Sequence, residues 1–158
     1  MRREKVLMFI LPIALLIAID QFIKFVIESK IPLYERIPVI NDFFYITHSQ
    51  NKGAAWGILQ NMNLIFLPVT IIFVVVMSYL LFKYKIKLFR IAGVLILSGA
   101  IGNFIDRAFR SSGVVDYLEF HFGSYIFPIF NLADSLIVCG SIILGIYIIF
   151  FQSKREPL

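Results

Sequence analysis

Apolar residues in this 158-residue chain come in four long blocks, and most polar residues are swept into the stretches between them. The blocks cover residues 6–27, 64–82, 88–109 and 125–151. The first, at 22 residues, would be about 33 Å long as a helix, enough for a hydrocarbon core of roughly 30 Å. It follows a basic start, Met-Arg-Arg-Glu-Lys, but no small-residue cleavage site comes after it, so it reads as a retained span rather than a leader. The pattern predicts an all-α polytopic membrane protein with four transmembrane helices in a single domain, 1–158.

The two stretches that break the pattern on one side differ from ordinary connections. Residues 28–63 contain Pro32, Pro38 and an alternating run from Phe43 to His48, then Asn51-Lys-Gly-Ala-Ala-Trp-Gly. Alternation predicts short strands, Asn51, Gly53 and Gly57 predict turns, and a loop this long is often functional. Trp56 and its aromatic neighbours suit a membrane–water interface. Residues 110–124 alternate again, putting Asp116, Leu118, Phe120 and Phe122 on one side and Glu119 and His121 on the other. An acid on the apolar face of a strand calls for an explanation.

Charge sharpens the topology. Hydrophobic residues make up 59% and charged ones 16%, against about 45–50% and 25% in soluble domains. The net charge of +5 does not require nucleic acid, because nine of the 15 basic residues flank the apolar blocks: Arg2, Arg3, Lys5, Lys83, Lys85, Lys87, Arg90, Lys154 and Arg155. That distribution places both termini and the 83–90 loop on the cytoplasmic side of the membrane, with 28–63 and 110–124 outside. Cys139, the single cysteine, permits no internal disulfide and reads as a small buried residue. Two histidines, His48 and His121, argue against a metal site, and no cofactor is expected.

The intramembrane polar residues then all fall in the outer half. Asp20 and Lys24 are spaced i, i+4 near the end of the first span and can pair. Asn103 and Arg107 share a face late in the third span, with Asp106 read on another, and Asn131 and Asp134 open the fourth. Asp116 and Asn51 come from the outer loops. Charges held in a membrane mark function by default, and two acids in low dielectric tend to share a proton, as acid–base catalysis on a carbonyl requires. A proton-coupled transporter would use similar groups, but it needs polar residues continuing inward, and 64–82 offers only Thr70, Ser78 and Tyr79. A presenilin-type protease would need a Gly-x-Gly-Asp motif, absent here. A scaffold in which the acids merely pair with Arg107 and Lys24 is the third alternative.

Five ordered motifs resolve the choice by resemblance: Asp20-Gln with Lys24, Asn51-Lys-Gly-Ala-Ala-Trp-Gly, Gly99-Ala-Ile-Gly-Asn-Phe-Ile-Asp-Arg107, Val114-Val-Asp-Tyr117 and Phe130-Asn-Leu-Ala-Asp-Ser135. Over nearly its whole length the chain resembles the bacterial type II (lipoprotein) signal peptidases. The resemblance implies an aspartic endopeptidase that removes the signal peptide from diacylglyceryl-modified prolipoproteins, just before the lipidated cysteine. It implies a catalytic pair, Asp116 and Asp134, with Asp20, Lys24, Asn51, Gly53, Asn103, Arg107 and Asn131 lining the pocket or contacting substrate. It also implies a small extracytoplasmic β-cradle, a monomer acting in membrane lipid, and inhibition by globomycin-type cyclic peptides. Ser98-Gly99 stands where many members have a glycine pair, a change that touches nothing catalytic.

Overall fold

The computed structural model describes residues 3–51 and 63–152. The chain forms α1 (Arg3–Lys30), β1 (Arg36–Ile40), β2 (Phe44–Asn51), α2 (Asn63–Lys83), α3 (Lys87–Phe109), β3 (Val114–Phe122), β4 (Tyr125–Ile126) and α4 (Leu132–Tyr147), the last extended by a π-helical turn, Ile148–Gln152. Among the described residues four helices are long and apolar enough to cross a membrane. Their outward surfaces keep large apolar side chains exposed, such as Leu11, Phe22, Ile72 and Ile142. In water that surface would drive aggregation; in lipid it is the solvated face.

The fourth helix starts later than its apolar run suggests. The expected span from 125 gives way to a strand and an irregular link, and α4 begins only at Leu132. The cause is local: Pro128 lacks a donor for a helix, β4 pairs with β3 through His121↔Ile126, and Asn131 closes a capping box with Asp134.

Four antiparallel strands in the order β1-β2-β3-β4 form one sheet at the bundle end where α1 and α3 finish. β2 and β3 are in register from Phe44↔Phe120 to Asn51↔Val114, with an irregularity between Ile46 and Ser49. One face of β3 puts Val115 and Tyr117 against Ile27 of α1 and Ile31 just beyond its end. The other stacks Phe120 between Phe44 and Phe130. Glu119, read from its alternation as pointing away from the apolar side, is nonetheless fully buried, because Arg36 and His121 close over its carboxylate at 2.9 and 2.6 Å. His48 is likewise buried, its Nδ1 2.8 Å from the Ile31 carbonyl, tying β2 to the end of α1.

Small residues set how closely the helices approach, as the 98–102 stretch predicts. A Cβ on Gly99 would stand 2.2 Å from the Ala133 carbonyl oxygen, and one on Gly102 would stand 2.7 Å from Asp20 Oδ2. A Cβ on Gly140 would stand 2.8 Å from the Ala92 carbonyl oxygen. With Gly140 turned inward, its neighbour Cys139 is on the outer surface of α4, exposed rather than buried as its residue type suggests.

Candidate active site

The first turn of α4 is the fixed point of the site. Its free N–H groups would be orphans at any helix start. Here each has a partner: Asn131 N–H donates to Asp134 Oδ2 at 3.1 Å, Leu132 N–H to Tyr117 Oη at 3.1 Å, Ala133 N–H to Asp20 Oδ1 at 3.0 Å, and Asp134 N–H to Asn131 Oδ1 at 3.0 Å. The acceptors come from α4 itself, from β3 and from α1. Three elements therefore fix the helix end that carries Asp134, and the helix dipole favours negative charge at that end.

Asn131 joins the two acids. Its Nδ2 donates to Asp116 Oδ1 at 2.6 Å and lies 3.2 Å from Asn103 Oδ1 and 3.3 Å from the Val115 carbonyl. Asn103 in turn donates to Asp134 Oδ1 at 2.7 Å. Asn51, at the end of β2, donates to Asp116 Oδ2 at 3.0 Å. The pairing of Asn51 with Val114 and Ser49 with Asp116 is what carries that amide to the carboxylate. Asp116 and Asp134 are thus brought together through amides rather than by a bond to each other.

Asp116 is only 3% exposed. Burial, and then the charge of Asp134, push its carboxyl up to about 7, against the opposing hydrogen bonds from Asn51 and Asn131 and the charge of Lys24. A carboxyl at about 7 keeps its proton where an ordinary one has lost it, and the sensitivity to Asp134 shows that the two acids share one field. Tyr117 is pushed up to about 12, chiefly by burial, and so stays a neutral acceptor and donor beside them.

Behind the acids lies a buried charge cluster. Lys24 Nζ sits 2.8 Å from Asp20 Oδ2, 2.7 Å from Asp106 Oδ2 and 3.1 Å from Asn103 Oδ1. Asp20, Lys24 and Asp106 have no solvent exposure. Asp20 and Lys24 were expected to line a substrate pocket; instead they support the acids from behind, because the close approach at Gly102 seals α1 against α3. The ammonium beside Asn103 Oδ1 fixes which way that amide faces, leaving its Nδ2 for Asp134.

Arg107 makes no hydrogen bond to either acid. Its guanidinium lies 5.0 Å from the Phe66 ring, half-buried, within the electrostatic reach of Asp134 and Asp116. Gly53 lies outside the described residues. Asp106, read from the sequence as facing elsewhere, and Gln21, given no role there, both join the candidate site. Gln21 Nε2 bridges Asp20 Oδ2 and Asp106 Oδ1 at 3.2 and 3.0 Å, and Arg110 Nε reaches Asp106 Oδ1 at 3.0 Å. The signal was present: Asp106 is i+4 from Gly102 and i+7 from Gly99, on the face that the glycines bring against α1 and α4. Tyr117 carried no such signal, since alternation only turned it away from Asp116.

Comparisons with known proteins agree with this architecture. A family model described as Signal peptidase (SPase) II matches residues 12–150. The lipoprotein signal peptidase of Bacillus pumilus (strain SAFR-032) is 46% identical over 143 residues, 89% of this chain and 92% of that protein. That of Geobacillus thermodenitrificans (strain NG80-2) is 42% identical over 147 residues, 90% of each. A bacterial membrane enzyme solved by the in meso method superposes with a TM-score of 0.84 at 34% identity, covering 96% of this chain and 93% of that one.

Proposed function

The chain belongs to the signal peptidase II family, a membrane aspartic peptidase that removes the signal peptide from prolipoproteins, and we propose that Asp116 and Asp134 are its catalytic pair. One observation carries the assignment: Asn131 hydrogen-bonds the Asp116 carboxylate with its side chain and the Asp134 carboxylate with its backbone. An amide held in this way fixes both acids in one site while leaving their charges coupled.

The division of labour follows from the environments. Asp134 accepts hydrogen bonds from Asn103 Nδ2 and Asn131 N–H at a helix N-terminus, a setting that suits an ionised carboxylate. Asp116, pushed up to about 7, is the member that keeps the proton. The ionised acid takes a proton from water as that water attacks the scissile carbonyl, and the protonated acid donates to the carbonyl oxygen. As the tetrahedral species collapses, the leaving amine takes up a proton from the acid that received one, and a hydroxyl of that species returns its proton to the other acid as the carbonyl re-forms. The amides of Asn51, Asn103 and Asn131 hold the pair, and Arg107 with Asn51 and Gly53 would meet the substrate.

The substrate in this reading is a diacylglyceryl-modified prolipoprotein, cut just before the lipidated cysteine. Basic residues at 83–90 and at both termini support an orientation with those regions cytoplasmic in the bacterial cell membrane, and with the sheet and the acids outside. A groove of about 290 Å³ formed by Phe43, Phe120, Phe122, Phe127 and Phe130 would seat the sheet in the interface as an extracytoplasmic cradle. The enzyme would act as a monomer in lipid, and cyclic peptides of the globomycin type would compete for the same site. Within 64–82 only Thr70, Ser78 and Tyr79 are polar, which disfavours a transporter.

Asp116→Asn and Asp134→Asn, each reconstituted with a diacylglyceryl prolipoprotein, test the pair. Each is expected to lose at least about a hundredfold in cleavage, the lower range for a general acid or base. Near-wild-type cleavage by either variant would remove that residue from the chemistry.

A further inference from the structure

The bundle end remote from the acids carries a groove that peptide cleavage leaves without a role. It opens between α1 and α3 and has a volume of about 550 Å³, within the ~300–1,000 Å³ range of ligand sites. Phe9, Pro12 and Leu16 form one wall, and Ile91, Val94 and Leu95 the other. Its mouth is basic, with Lys85, Lys87 and Arg90 on the rim. Arg90 is 13 residues before Asn103, roughly 20 Å along α3, so groove and catalytic pair are separate sites.

The rim has charge to spare. Residues 83–90 contain no acid. Lys85 and Lys87 are exposed, and neither forms an ion pair among the described residues. Arg90 is held at the mouth: its guanidinium lies 5.1 Å from the Phe9 ring, and its Nε donates to the Tyr84 carbonyl at 3.0 Å. The walls ask for hydrocarbon, since water does not fill an apolar groove that faces lipid. A basic mouth above an apolar slot between transmembrane helices matches a lipid with an anionic head, and it distinguishes that lipid from a zwitterionic one.

We propose that this groove binds one anionic glycerophospholipid, its phosphate held by Lys85, Lys87 and Arg90 and an acyl chain laid between α1 and α3. The site needs no catalytic assignment, so it stands or falls apart from the cleavage reaction. The lipid would fasten α1 to α3 at the end opposite to the one that the buried charges fasten.

The test uses the full chain in nonionic detergent, with dioleoyl phosphatidylglycerol and dioleoyl phosphatidylcholine titrated separately and retained lipid counted by native mass spectrometry. One phosphatidylglycerol per chain is expected, retained at least tenfold better than phosphatidylcholine. Lys85→Gln with Lys87→Gln should weaken phosphatidylglycerol about 25-fold, roughly fivefold per charge removed, and leave phosphatidylcholine unchanged. Leu16→Trp, which fills the slot and spares the rim, should weaken both lipids. Acyl-free sn-glycerol 3-phosphate should not bind measurably. Equal retention of the two lipids, an unchanged phosphatidylglycerol affinity in the double variant, glycerol phosphate binding as tightly as the lipid, or a second copy of the chain occupying the groove would each overturn the proposal.

Discussion

The proton on Asp116 gives the sharpest test of the site, because it ties stability and activity to the same group. Burial and the charge of Asp134 raise this carboxyl from 3.8 to about 7. The folded protein therefore binds the proton more tightly than the unfolded chain. Its contribution to stability is full below pH 3.8, declines as pH rises, and is lost above about 7. Three pKa units at about 1.36 kcal/mol each make the loss roughly 4 kcal/mol, a large share of a typical stability of ~5–15 kcal/mol. The carboxyl is almost wholly removed from solvent, so little of this is screened.

Reversible unfolding in mixed micelles, followed by circular dichroism between about pH 4 and 8, measures it. Asp116→Asn cannot ionise, so the difference between wild type and variant should change by that amount across the window. Asp134→Asn removes the second-largest cause of the shift and should move the Asp116 transition to lower pH. In wild type, kcat/KM should fall as pH rises through about 7, because a doubly ionised pair has no proton to donate; the limb belongs to the pair. Parallel stability curves for wild type and Asp116→Asn would refute the buried-proton reasoning. An Asp116 midpoint unmoved by Asp134→Asn would refute the coupling on which the catalytic assignment depends.

Three further outcomes follow from the surrounding contacts. Lys24→Met leaves Asp20 buried without its cation and Asp106 with Arg110 alone and should cost about 3–5 kcal/mol, read as a lowered unfolding midpoint; adding Asp20→Asn and Asp106→Asn should recover most of that stability without recovering cleavage. Gly102→Ala places a methyl 2.7 Å from Asp20 Oδ2 and should cost about 1–3 kcal/mol, with cleavage lost out of proportion as the α4 end shifts. Asn131→Ala removes both the helix cap and a donor to Asp116, so about 1–2 kcal/mol of stability should go, and the alkaline limb of kcat/KM should move to higher pH as a hydrogen bond that holds the Asp116 carboxyl down disappears.

Much of this architecture was legible because its physics is periodic. Lipid demands continuous apolar blocks, so the four spans could be read directly, and alternation placed β2 and β3 with Asp116 on its strand. Spacing of i, i+4 found the Asp20–Lys24 pair, and i, i+3 set Asn131 beside Asp134. What could not be read depends on contacts between distant segments. The α4 start was obscured because apolar residues 125–131 look alike whether they pair with β3 or continue a helix. Glu119 looked exposed because the cation covering it, Arg36, comes from another strand. Asp106 was missed through a question about face rather than residue type, since the helix turns it toward α1, where Lys24 waits.

The buried cluster has a role that its energetics alone would not assign. Taking Asp20, Lys24 and Asp106 out of water costs so much that such clusters are seldom net stabilising compared with apolar packing. Each member, however, is attached to something that the proposed chemistry needs. Asp20 binds the Ala133 N–H at the head of α4, and Lys24 orients the Asn103 amide that holds Asp134. Asp106 is bound through Arg110 and Gln21 to the chain that leads from α3 into β3 and hence to Asp116. An apolar core could bring α1, α3 and α4 together with comparable stability. It could not fix the rotation of α4 about its axis or the facing of an amide, because apolar contacts tolerate small rotations that hydrogen bonds of 2.7–3.1 Å do not. The cluster is therefore best understood as registration for the proposed catalytic pair. That is why removing its charges together is expected to spare the fold and still abolish cleavage.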